Sequence, residues 1–424
     1  MKKGAGRSFI TNTLLIVFSL FFALTVFEVL LRIAENVLPD LKNKLVIGWK
    51  GNCLKGEQNQ LGFRGRSISY TKDDLVVLLV GDSYVQAGHY PFACMPETVL
   101  EYYLNGGLQT DFQTPEDANA QSALCTKLYA ADRNKHHVKV FSVGADGYGQ
   151  DQEYIGIIEY FETYKANMTL LWFTPTNDIW NNLFPTHFPG NKDGTPKPTF
   201  ILKGNTLIYP DEALRTGRPF LRLIELYNRI FLKYKDKTWE THYLPKPYEP
   251  LTNYHDSDSI IKYDFPETEN LTTEKSHIAI TLTPRSERMN YGIRLTNRLI
   301  KEIESLTVKN GSKFVTFWDE TDWGTRKNAF WYYISNDASE LVFKSNGKYY
   351  KSSKHQYDQN ISDVFSDIKH YRIDIKEKNW FKSHDNPHLS LKALDECMHK
   401  LADKILRDIP AKYHLSSKKT IDKE

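Results

Sequence analysis

Leu75-Val76-Val77-Leu78-Leu79-Val80 runs directly into Gly81-Asp82-Ser83-Tyr84. Six apolar residues in a row, half of them β-branched, show no polar alternation. Such a run describes a strand buried on both faces, as in a parallel sheet. The Gly-Asp-Ser turn ends it. Residues 95–104 then read as a helix, with Pro96 and Glu97 early, where a first turn tolerates them. A serine just past the carboxyl end of a buried strand sits where open α/β sheets place their ligands. It also lies close to backbone N–H groups able to stabilise an oxyanion. An ordinary polar turn between strand and helix has the same composition, so the weight given to Ser83 rests on the rest of the chain.

The pattern of buried strand and polar turn recurs. Residues 138–143 (Val-Lys-Val-Phe-Ser-Val) lead into Gly144-Ala145-Asp146-Gly147-Tyr148-Gly149, a turn that needs unusual torsions or close backbone approach. Residues 168–173 (Met-Thr-Leu-Leu-Trp-Phe) end in Thr174-Pro175-Thr176-Asn177-Asp178. Residues 313–318 and 371–375 supply a fourth and a fifth strand, and the turn Ser383-His384-Asp385-Asn386-Pro387-His388 follows the fifth. Apolar spacing of three and four predicts helices over 150–164, 290–306 and 391–407. Strands alternating with helices imply a parallel sheet with right-handed crossovers, hence a three-layer α/β/α domain. Two irregular stretches, at about 183–289 and 319–370, read as insertions, the first building a lid or substrate wall. It includes an expected hairpin around Lys203-Gly204-Asn205 and a helix over 219–234. Residues 105–132 read as loop with one helical turn. Residues 41–70, with Asn59-Gln60-Leu61-Gly62-Phe63-Arg64-Gly65, fit a lead-in loop or a plain linker equally well.

In a parallel sheet these turns open on one edge, so Ser83, Gly147, Asn177, Asp385 and His388 can converge there. Together they describe acyl transfer. A serine hydroxyl is a weak nucleophile until a base takes its proton, and His388 titrates in the right range to do so. Asp385, three residues earlier, can orient the ring and stabilise the imidazolium. The Ser83 and Gly147 backbone N–H groups and the Asn177 amide are candidate oxyanion donors. Singly, each has a bland reading: a cap, a surface pair, a turn-closing side chain. In one order and one structural setting they are much harder to obtain by accident.

The amino end sets the compartment. Residues 8–27 carry no charge and are rich in Leu, Phe, Ile and Val, about the length that crosses a hydrocarbon core. Lys2, Lys3 and Arg7 precede them, which predicts a cytoplasmic amino terminus. The expectation is an uncleaved signal anchor, with membrane contact through residues 8–33, rather than a cleaved signal peptide. Residues 1–39 then form the tip and anchor. Residues 40–424 form a domain outside the cytoplasmic membrane, periplasmic or extracellular. Export permits disulfides among Cys53, Cys94, Cys125 and Cys397. Their spacing fits no zinc pattern, and Cys94 with Cys125, which bracket one polar excursion, is the pairing expected. A net charge of +3, without a basic run interleaved with aromatics, gives nucleic-acid binding no support.

At these residues the chain resembles the SGNH (GDSL-type) hydrolases. Gly81-Asp82-Ser83-Tyr84 resembles the nucleophile block, and Ser142 to Gly147 the second block, whose last glycine supplies an oxyanion N–H. Thr176-Asn177-Asp178 is similar to the third block and Asp385-Asn386-Pro387-His388 to the final Asp-x-x-His block. The matched blocks cover about 75–182 and 290–407. Residues 59–65 resemble a segment that precedes the nucleophile in some bacterial membrane-anchored members. Tyr84 in place of leucine, Ser142 where asparagine is frequent, and no glycine after His388 are departures that remove no reacting group. The resemblance implies a flavodoxin-like α/β/α fold and cofactor-free esterase or acyltransferase activity. The expected function is a membrane-anchored serine esterase on acyl esters, O-acetyl groups of a glycan above all. The alternatives are an O-acetyltransferase for an envelope polysaccharide and a non-catalytic glycan-binding module. Trp172, Trp180, Trp318 and Trp323, near the predicted active edge, offer faces for sugars or else pack the core.

Overall fold

The computed structural model describes residues 4–37, 56–109, 111–129, 136–186, 197–208, 223, 236–252, 261–262, 270–320, 341–377, 381–383 and 386–408. Five parallel strands form the central sheet: β1 (Leu75–Gly81), β2 (Val138–Gly144), β3 (Met168–Trp172), β4 (Lys313–Glu320) and β5 (His370–Asp374). Their order across the sheet is 2-1-3-4-5. This is the flavodoxin-like doubly wound order, and its switch point lies between β1 and β3. The helices are α1 (Gly4–Val37), α2 (Ser83–Gln86), α3 (Pro96–Leu104), α4 (Ala118–Tyr129), α5 (Gln150–Thr163), α6 (Asp178–Leu183), α7 (Asp236–Tyr243), α8 (Glu287–Lys309), α9 (Lys354–Val364) and α10 (Leu391–Leu406).

The unbroken apolar run of β1 is explained by two cores. Leu75, Val77 and Leu79 face one side, with apolar residues of α3, α4 and α10. Val76, Leu78 and Val80 face the other, with those of α5, α8 and α9. Every residue of β1 is buried. The three layers expected from the strand–helix alternation are therefore present. Gly81 pairs with Gly144, and Val80 with Leu171, so the turns after β1, β2 and β3 leave the sheet at one level. A Cβ on Gly144 would stand 2.6 Å from the Gly81 carbonyl oxygen, so only glycine lets the first two turns approach this closely.

Several expectations need correction. Residues 105–132 hold more than one helical turn: α4 spans three, tied to the short turn before α3 by the Cys94–Cys125 disulfide. That bridge is the expected pairing, and closing a loop of 31 residues contributes about 3–4 kcal/mol by the chain-entropy relation. Cys397 is free and buried, and Cys53 lies outside the described residues. The stretch expected as a polar excursion at 319–370 contains the antiparallel strands Leu341–Ser345 and Lys348–Ser352 and the core helix α9. The hairpin around Gly204 forms as expected, from Ile201–Lys203 and Thr206–Ile208. The helix expected over 219–234 falls outside the described residues apart from Leu223. In α1, residues Asn12–Ala34 are long and apolar enough to cross a membrane, a property shared with signal sequences.

Residues 57–66 are bound to the fold rather than free. Asn59 accepts from the backbone N–H groups of Leu61 (3.0 Å) and Phe63 (3.2 Å) and donates to the Ser142 carbonyl at 3.0 Å. Arg66 grips Glu101 with both ends of its guanidinium and donates to the Val140 carbonyl. Of the two readings of this segment, the lead-in loop is the one observed.

Candidate active site

Ser83 opens α2 immediately beyond β1 and is 5% exposed. Asp82 caps the helix: its carboxylate accepts from the Tyr84 N–H at 2.9 Å and from the Asn177 side-chain amide at 2.9 Å. One buried carboxylate thus couples the turn after β1 to the turn after β3. The latter is held by Asp178, which accepts from the Thr174 N–H at 2.9 Å, and by Trp180, which donates to the Thr176 carbonyl at 3.0 Å. Gln150, at the start of α5, donates to Asp178 and to Glu153 and accepts from Asn182, joining the turns after β2 and β3. Burial pushes the Glu153 and Asp178 carboxyls well above the usual range; the charge of Asp82 adds to the rise at Glu153, and the charges of Glu153 and Asp82 add to that at Asp178. Gly147 sits at φ +71°, a backbone conformation that only glycine adopts without strain.

His388 reaches this edge from the other end of the chain. Its Nε2 lies 2.9 Å from Ser83 Oγ. The sequence placed it in a simple turn after the fifth strand. Instead it stands on Asn386–Leu389, which pairs antiparallel with Phe381–Ser383. It does not cap the last helix, a role taken by Ser390, which accepts from the Ala393 N–H at 3.3 Å. Two rings flank the imidazole: His89, with centroids 4.1 Å apart, and Tyr84, at 5.4 Å. Asp385 lies outside the described residues. The structure thus brings Ser83 to His388 and Asn177 to Asp82, and it sets Gly147 on the turn level with them.

Reading the sequence for reacting groups left Asp82 and His89 without a role. Asp82 carried a signal, since an acid directly before a helix-opening serine is an N-cap. His89 carried none. Trp172, Trp180 and Trp318 are 0, 2 and 4% exposed, so they pack the core and offer no face to a sugar. Trp323 lies outside the described residues.

Burial raises the acids on this edge. Asp82 is pushed up, against the pull of its hydrogen bonds. Burial, then the charge of Asp82, lifts Asp146 to about 6. Burial also lifts Asp319, which accepts from Trp172 Nε1 at 2.8 Å, to about 6. The folded chain therefore binds the Asp319 proton more tightly than the unfolded chain, whose value is 3.8. This stabilisation is complete below pH 4 and is lost as pH rises through 6. The melting midpoint should fall between pH 5 and pH 7.5, and Asp319→Asn should flatten that fall while keeping the acceptor for Trp172. Thermal melts with equal slopes for the two proteins would count against this ionisation.

No protein-family model matches the chain, and no curated protein matches it. Among solved structures, the chain is similar to an acetyl xylan esterase (Est2A) from the rumen bacterium Butyrivibrio proteoclasticus, at 10% identity and a TM-score of 0.29. That match covers 81% of this chain and 66% of the other, just under two thirds. The chain is also similar to a carbohydrate esterase whose active site displays divergent catalytic and non-catalytic binding functions, at 10% identity and a TM-score of 0.27. The second match covers 81% of this chain and 71% of the other.

Proposed function

We propose that the chain is a membrane-anchored serine esterase of the SGNH (GDSL) type that hydrolyses acyl esters, with O-acetyl groups on a glycan as its substrate class. In this reading residues 1–39 are tip and anchor, and residues 40–424 carry the site on the outer side of the membrane. The Cys94–Cys125 disulfide agrees with an oxidising compartment. The observation that carries the reading is the 2.9 Å contact of Ser83 Oγ with His388 Nε2, made across 305 residues of sequence. That separation is within reach for proton transfer.

Ser83 Oγ attacks the ester carbonyl carbon while His388 Nε2 takes its proton. The carbonyl oxygen becomes an oxyanion. Its donors are the Ser83 and Gly147 N–H groups and Asn177. A primary amide has two N–H donors; Asp82 accepts one from Asn177, and the second is assigned to the oxyanion. Collapse breaks the ester bond, and the departing alkoxide takes the proton back from the imidazolium. Water then repeats the sequence on the acyl-serine and releases the acid. Asp385 is assigned to the imidazolium, as the Asp-x-x-His block implies. No step calls for a metal or cofactor, and nucleic acid has no part in it.

The test uses the full chain in detergent with p-nitrophenyl esters of rising acyl length, and a fluorophosphonate to label the nucleophile. The expected result is faster turnover of acetate than of octanoate, with the label recovered on Ser83 alone and turnover falling in step with labelling. Turnover that continues after Ser83 is fully labelled would overturn the reading, as would a wild-type protein that neither turns over nor takes the label.

A further inference from the structure

Arg64 stands outside the chemistry just described, on the segment before β1, yet the residue is 3% exposed. It donates to the Gln86 carbonyl at 3.2 Å, to the Ala87 carbonyl, and to the Tyr90 carbonyl at 2.8 Å. Its Nε donates to Glu57 at 2.8 Å. Gln86 ends the helix that Ser83 begins, and Ala87 closes it in the left-handed region at φ 51°. A four-residue helix has almost no stability of its own, and a Cβ-bearing residue in that region costs about 1–2 kcal/mol. The nucleophile's turn therefore depends on contacts from outside, and Arg64 supplies them at its carbonyl end. The base of Arg64 is itself fixed, because Asn59 holds this segment to β2.

The loop that Arg64 grips touches the other half of the pair as well. The Tyr90 hydroxyl donates to the carbonyl of Leu389, the residue after His388. The His89 ring lies against the His388 ring at 4.1 Å between centroids, tilted by 31°. Ser83 and His388 come from elements that share no strand pairing. The loop 87–90 spans the gap between them, beside the Tyr84 ring, which also lies against the imidazole.

We propose that Arg64 and Tyr90 are positioning residues that set the distance from Ser83 Oγ to His388 Nε2. Arg64 fixes the loop by three carbonyls, and Tyr90 transmits that placement to the strand carrying the histidine. The inference rests on the esterase reading, since it concerns the same pair. Displacing a reacting group by about 1 Å costs on the order of 100-fold in rate, and a lysine cannot reproduce the planar fork that serves several carbonyls at once.

The test compares Tyr90→Phe, Arg64→Lys and Arg64→Ala with wild type, as full chains in detergent. Ester kcat and KM, the rate of fluorophosphonate labelling of Ser83, and the melting midpoint are measured. Tyr90→Phe removes one hydroxyl and keeps the ring. It should lower kcat and the labelling rate about tenfold, with KM and midpoint little changed. Arg64→Lys should cost on the order of 100-fold in both rates. Added guanidinium at low concentration should restore part of the labelling rate to Arg64→Ala and nothing to Tyr90→Phe. A purely structural role would lower the midpoint and leave the labelling rate of the folded fraction untouched; that result, or wild-type labelling in Tyr90→Phe and Arg64→Lys, overturns the inference. A wild-type protein that resists the label brings down the esterase reading, and this inference with it. Label taken up at one rate by wild type and variants brings down only the inference.

Discussion

Ser83→Ala is expected to lower kcat for p-nitrophenyl acetate on the order of 10⁶-fold, with the melting midpoint within a few degrees of wild type. The size follows from what the hydroxyl does. In the proposed mechanism it forms the covalent bond, so no neighbour can take over when it is gone, and what survives is binding and oxyanion stabilisation acting on water. The fold should tolerate the change. Ser83 occupies the first position of α2, where its backbone N–H is unsatisfied within the helix in any case, and alanine keeps the Cβ. His388→Ala should cost nearly as much, because the proposed base and nucleophile, 2.9 Å apart, would act as one unit. The double variant should then lose little more than either single one. Losses that multiply in the double variant would mean that the two side chains act independently, and the proton-transfer step would have to be abandoned. Wild-type turnover in Ser83→Ala would remove the mechanism altogether.

The part of the fold proposed to bear this chemistry was legible in the sequence because its signals are local. β1 is apolar at every position, and burial on both faces is the one environment that allows this. The polar turns after β1, β2 and β3 follow such runs directly, and sheet order then brings them to a common edge. The elements that were missed bury little apolar surface. In α9 only Tyr357, Ile361 and Val364 face the core among the apolar residues, spaced four and three apart within a polar run. Its other buried positions are secured by hydrogen bonds, as when Asn360 donates to the Ile280 carbonyl at 2.6 Å. α4 is similar: Cys125 and Tyr129 are its buried residues, and its disulfide partner lies outside the helix. A periodicity test has too few apolar residues to detect either one.

The residues proposed for function divide along the same line. Ser83, Gly147 and Asn177 stand at the ends of strands, where a reader of the sequence looks for ligands. Arg64 and Tyr90 act through main-chain carbonyls, and a carbonyl has no sequence identity. The guanidinium meets partners 22 to 26 residues away, and the tyrosine hydroxyl one 299 residues away. Nothing in the composition of either segment indicates that meeting. Trp172, Trp180 and Trp318 err the other way. Their residue type suits a sugar-binding wall, and their place on or beside buried strands makes them core.

Asn177→Ala should lower kcat by about 10²–10³-fold with KM within a few-fold of wild type, the loss seen when one preorganised oxyanion donor is removed. The split is the informative part. A donor that meets charge only in the transition state affects kcat, whereas a group that merely helps to shape the pocket affects KM. Asn177 also donates to Asp82 at 2.9 Å, so the alanine variant takes a partner from a buried carboxylate and should melt at a lower temperature. Two further variants separate these effects. Asp82→Asn relieves the buried charge and leaves the second N–H of Asn177 in place, so its kcat should fall far less than that of Asn177→Ala. Asn177→Asp puts a carboxylate where the oxyanion develops and sets it against Asp82 at hydrogen-bond distance. It should be less active than the alanine variant at pH 8, where an added carboxylate is ionised, and should recover relative to it as the pH falls and the new acid takes up a proton. If Asn177→Ala kept its kcat and lost only stability, the amide would be a turn-closing side chain. The oxyanion would then depend on the N–H groups of Ser83 and Gly147.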